Sequence, residues 1–146
     1  MSVQYSYTHA AKRLISDAVA LWVGGARETA VHLAGLSAEC ALKSVLVGLG
    51  LVRVGTDGQI ADRSLRVHID KLFGQFQTLL QGRQGAAYAA LLPTPVPQPF
   101  HDWLVDHRYV ADRQFSSHAF ERWMWAAIVI SKILNEAERK VPREAQ

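Results

Sequence analysis

In the stretch HLAGLSAECALKSVL, residues 32–46, one glutamate and one lysine stand four apart in an otherwise apolar run. Glu39 and Lys43 have the spacing and the order, acid first, that favour an ion pair along a helix. On a helix apolar nearly all round, at least one of them is expected to be partly covered, and a covered charge needs a partner or a task. Two readings stay open: a pair on the narrow polar edge of the helix, or Glu39 orienting an arginine of the 102–118 segment in a site.

The second chemical grouping is HDWLVDHRYVAD, residues 101–112. Arg108 followed by Tyr109 suits a phosphate with a base stacked beside it, as basic and aromatic side chains do on single strands. Alternatively, Tyr109 and Trp103 pack this segment onto the core while Arg108 pairs with Asp102, Asp106 or Asp112. His101 and His107 stand among these aspartates, but the spacing matches no helical zinc motif. Cys40 lacks an adjacent base and reads as a small buried hydrophobe. No glycine-rich loop is followed by Lys-Ser/Thr, so no phosphate loop of that kind, and no metal or cofactor, is expected.

The elements that must position these residues are helices. From Thr8, a candidate cap, Ala11, Leu14, Ile15, Ala18, Leu21 and Trp22 recur at helical spacing, and Gly24 and Gly25 end the run. A second helix, from about 26 to 48, is apolar on most sides and should be central. The polar, turn-rich RVGTDGQIADR predicts a surface loop over 53–63. Ile69, Leu72, Phe73, Phe76, Leu79 and Leu80 mark a third helix, with Asp62 or Ser64 available to cap it. After a short helical patch, AAYAALL, the prolines of PTPVPQP predict an extended connector. The last helix starts near Ser116 or Ser117 and carries Phe120, Trp123, Met124, Ala127, Ile130, Leu134 and Ala137 as its buried stripe. The expectation is all-α: an antiparallel up-and-down bundle of about four long helices plus short ones, in a single domain spanning 1–146 with its core at about 8–140.

Composition agrees. With 49% hydrophobic and 20% charged residues, the 146-residue chain is expected to fold as a whole. A net charge of +3 is too small to imply nucleic acid unless the cations cluster. The single cysteine excludes an internal disulfide and suits a reducing cytoplasm. No signal-peptide pattern opens the chain and no uncharged apolar run reaches membrane-spanning length, so a cytoplasmic protein with no membrane partner is expected.

The run HLAGLSAECALKSVL resembles the second helix of the HEPN family, small helical-bundle domains with a recurrent Ala-Glu-x-x-Leu-Lys pattern. His68 in HIDKLF is similar to the start of that family's third helix, and DWLVDHRYV to the segment before its last helix. The resemblance covers about residues 8–140. It implies a homodimer that binds RNA and, in many members, cleaves it without metal through an Arg-x4-6-His motif near the start of the last helix, paired across the interface. It also implies a toxin–antitoxin or defence setting and a nucleotidyltransferase-type protein partner. Members lacking the motif serve as RNA-binding, nucleotide-binding or scaffold modules; the alternative here is a non-catalytic HEPN-like protein-interaction or scaffold module.

Three pairs match the motif's spacing: Arg27 with His32, Arg63 with His68, and Arg113 with His118. Eleven arginines and six histidines give roughly half a match by chance at the one spacing of four intervening residues, so spacing alone selects nothing. By position the resemblance selects Arg113 and His118 as the catalytic pair, with Arg108, Tyr109, Glu39 and Lys43 supporting. The chain departs from the family at Phe120, where a tyrosine often follows, and at Gln114, commonly a small polar residue. Attack by a ribose 2′-hydroxyl needs a proton acceptor and a fixed cation for the phosphorane, roles that His118 in a first helical turn and Arg113 in the preceding loop would fill.

Overall fold

The computed structural model describes residues 3–80, 88, 90–92, 98–111 and 114–140. Four helices account for most of them: α1 (Tyr7–Val23), α2 (Arg27–Gly48), α3 (Ile69–Leu79) and α4 (Ser117–Lys140), with short 3-10 turns at Arg63–Leu65 and Val105–Tyr109. The chain is an all-α helical bundle. The short patch at 86–92 and the proline-rich connector at 93–99 each fall in part outside the described residues.

Helix α2 is central, as its apolar circumference requires: it packs on α1 and α4 most extensively and on α3 less. Ala30, Ala34, Ala38 and Ala41 are covered, and Ala11 and Ala18 are buried on α1, so small side chains let the two backbones approach. The turn between α1 and α2 is made by Gly24 and Gly25, the latter at φ 92°, where a side chain would be strained. Ser37, buried in α2, donates its hydroxyl to the Ala11 carbonyl at 2.8 Å, so its burial leaves no unpaired donor. By length and composition α2 also passes for a membrane span, but 61% of its most apolar window is buried within the bundle.

Two helix caps differ from expectation, those of α1 and α3. Ser6, not Thr8, caps α1 by accepting from the His9 amide at 3.2 Å, while the Thr8 hydroxyl bonds that of Ser44. Asp62 caps the 3-10 turn rather than α3, and Ser64 donates to it. At the start of α3 stands His68, whose ring is engaged elsewhere and makes no cap. Ser116 caps α4, accepting from the Ala119 amide at 3.2 Å, as expected. The 53–63 segment is a loop with one inward peg. Ile60 is fully buried, its amide donating to the Tyr7 hydroxyl at 2.9 Å and the segment bridged at Val54 and Ile60.

Candidate functional site

Gly35 lies mid-helix in α2, where glycine costs about 1 kcal/mol relative to alanine. The offsetting gain is the indole of Trp103, which lies directly against it; a methyl at this position would overlap ring atoms Cε2, Cζ2 and Nε1. Trp103 is 1% exposed and donates its N–H to the Val31 carbonyl at 3.0 Å. The preceding residue is strapped to α4. Arg122 grips both oxygens of Asp102 at 2.8 and 2.6 Å, and Trp123 Nε1 donates to Asp102 Oδ1 at 3.0 Å. Burial opposes ionisation of Asp102, but these hydrogen bonds and the Arg122 charge outweigh it and hold the carboxyl below the ordinary aspartate range. Trp103 and Asp102 thus lock the 98–110 segment to two helices at once.

What this docking creates is a cleft of about 430 Å³ between the first turns of α2 and the 3-10 turn. Arg27, Glu28, Thr29 and His32 line it from α2, and His107 and Arg108 from the other wall. Each arginine lies over an aromatic ring: Arg27 is 4.5 Å from the centroid of Trp22, and Arg108 4.7 Å from that of Tyr109. Tyr109 is 74% exposed, so it does not pack the segment onto the core, and Asp102 is taken by Arg122. The structural reading of this segment holds for Trp103 and fails for Tyr109. No side chain caps α2 at Ala26, and the helix's positive end opens on the cleft.

The two imidazoles have defined roles. His32 stacks on Trp103, centroids 5.8 Å apart and 15° between planes, and its Nδ1 is buried with no partner among the described residues. A buried N–H without an acceptor costs more than a buried lone pair, so Nδ1 is the bare nitrogen and Nε2 carries the hydrogen. Burial, then Arg108, His107 and His68, push the ring's pKa below its ordinary 6.5, keeping it neutral. His107 Nδ1 accepts from the Leu104 amide at 3.3 Å, which likewise leaves its hydrogen on Nε2. Its ring packs on Phe115 at 4.5 Å and on Trp123 at 5.9 Å. Both histidines of the cleft are therefore N–H donors, suited to hold an anion and not to take a proton from it.

Glu39 and Lys43 pair at 3.0 Å, with side-chain exposures of 12% and 7%. Both are covered, as expected, but Glu39 does not face the 102–118 segment: its other oxygen meets His68 Nδ1 at 2.8 Å, at the start of α3. The reason is the level at which it sits. Glu39 is two turns below His32 on α2, about 10 Å along the axis, and α3 covers that level. Lys43 also lies 5.7 Å from the Tyr7 ring centroid. Burial, with the Glu39 charge adding, pushes the Cys40 thiol up to about 11, so it stays protonated.

His118 is exposed in the first turn of α4. Arg113 lies outside the described residues. Of the three Arg-x4-His pairs, Arg27 and His32 share the cleft, while His68 of the second is committed to Glu39. Spacing could not select Arg27 and His32, since residues five apart on a helix point about 140° from one another. A mid-helix glycine paired with a distant tryptophan was the available signal. In comparison with known proteins, the sequence matches no family model, and it finds no match among curated proteins or solved structures.

Proposed function

We propose that this chain is an HEPN-like RNA-binding protein, acting as a homodimer, that takes single-stranded RNA at the cleft between α2 and the 105–109 turn. The carrying observation is the pair of guanidinium groups, Arg27 and Arg108, that line one cleft with each backed by an aromatic ring. Guanidinium binds phosphate through forked hydrogen bonds, and aromatic faces stack bases whatever their sequence. The neutral imidazole donors add hydrogen bonds without charge. Cleavage, where it occurs, draws its base from outside the cleft, and His118 with Arg113 is the pair proposed for it. His118 has the access that role needs.

A protein-interaction module is the second reading, favoured by Trp125, 42% exposed on α4, and by a groove on the same helix formed by Leu91, Val129 and Ile133. Fluorescence anisotropy with a labelled single-stranded RNA separates the two. Under the RNA reading, Arg27→Ala with Arg108→Ala weakens binding at least tenfold and lowers the salt slope by about 1.4, about 0.7 for each phosphate charge no longer neutralised on a single strand. Affinity unchanged in the double variant removes the cleft from the function.

A further inference from the structure

The shape and charge of the cleft say more than that RNA binds there. Its volume, about 430 Å³, lies near the lower end of small-ligand sites, roughly 300–1,000 Å³, and suits a single nucleotide. On the side of His32 and His107 a smaller recess of about 20 Å³ lies among Trp103, Phe115, Phe120 and Trp123.

The charges agree. Two guanidinium groups and the partial positive charge of the α2 terminus, about half a unit, stand against one carboxylate, Glu28. Both imidazoles contribute hydrogens without charge, since the bare Nδ1 of each is used or buried. The excess approaches the −1.5 to −2 that a phosphate monoester carries at about neutral pH, and exceeds the single charge of an internal diester.

We infer that the cleft is a binding site for a terminal phosphate monoester of an RNA strand, with Arg27 and Arg108 as the charged clamp and His32 as a neutral N–H donor. This rests on the RNA reading for the strand and on the cleft alone for the monoester. The same chemistry is present in a mononucleotide and in inorganic phosphate, and the test separates these sources.

Anisotropy is measured with three labelled 10-mers of one sequence, bearing a 5′-phosphate, a 3′-phosphate or hydroxyls at both ends, with the dye placed internally. Competition follows with a nucleoside monophosphate and with inorganic phosphate. The expected result is that at least one phosphorylated end tightens binding about tenfold over the hydroxyl-ended strand. Arg27→Ala and Arg108→Ala each erase that difference, His32→Phe reduces it, and His32→Gln, which keeps an N–H donor, retains most of it. Thermal melts of each variant show that the fold is intact. Equal affinity for all three strands, with both arginine variants weakening all alike, overturns the terminal-phosphate inference and leaves the RNA reading standing. If no strand binds but the nucleoside monophosphate does, and Arg108→Ala abolishes it, the monoester site is upheld and the RNA reading falls. Failure of every phosphate ligand to bind overturns both.

Discussion

Replacing Gly35 by alanine adds one methyl group at the place where α2 meets Trp103, and the structure leaves no room for it. Because the overlap is with the ring itself, the indole must withdraw as a body. Crowding a packed interior costs about 1–3 kcal/mol. Withdrawal also breaks the bond from Trp103 to the Val31 carbonyl, and stranding that buried donor costs about 1–3 kcal/mol more. Alanine's better helix propensity returns at most about 1 kcal/mol. The net destabilisation is about 1–5 kcal/mol, which in a chain of this size lowers Tm by roughly 3–15 °C. The check is urea and thermal unfolding followed by far-UV circular dichroism, with Gly48→Ala as the control. Gly48 is also in α2, but a methyl group added there meets nothing within 4 Å, so its replacement should be neutral or stabilising by up to about 1 kcal/mol. A Gly35→Ala protein as stable as the control would refute the claim that Trp103 seats on that glycine. RNA affinity should fall in the same variant, since the tryptophan carries the His32 stack and the wall bearing Arg108.

Glu39→Ala leaves Lys43 covered and without its ion-pair partner and should cost about 3 kcal/mol, whereas Glu39→Leu with Lys43→Met should recover most of it; urea titration of both decides. His32, neutral when folded, should titrate below 6.5 by NMR. Because the unfolded chain takes up that proton first, stability should decline as pH falls from 6.5 towards the folded value, and His32→Gln should flatten that slope. Asp102 acts in a lower window: its contribution is complete above its ordinary 3.8 and is lost as pH falls through its lower folded pKa, which Asp102→Asn should reveal as a weaker acid dependence. Should the protein cleave RNA, products are expected to end in 2′,3′-cyclic phosphate, EDTA should have no effect, and His118→Ala or Arg113→Ala should reduce the rate by about 100 to 10,000-fold, read on a denaturing gel. Light scattering at micromolar concentration is expected to give the dimer mass.

Local periodicity was enough to define the helices. The spacing of Ala11, Ala18, Phe73, Phe76, Trp123 and Ile130 marks α1, α3 and α4 and residues of their buried faces, because a 3.6-residue repeat brings such positions to one side of a helix. The Glu39 and Lys43 pair was legible for the same reason, four residues being about one helical turn. Everything else depended on packing between distant parts of the chain. Ser6 prevails over Thr8 as a cap because the Thr8 hydroxyl meets Ser44, a residue 36 positions away. Glu39 turns to His68 because α3 covers α2 at that level. Arg27, His32, His107 and Arg108 become neighbours because Gly35 admits Trp103; Gly35 lies one turn from His32, but its own helix does not record which distant residue it admits. Periodicity reports which face of a helix is buried; what that face meets depends on residues far along the chain, and at this site that meeting creates the cleft.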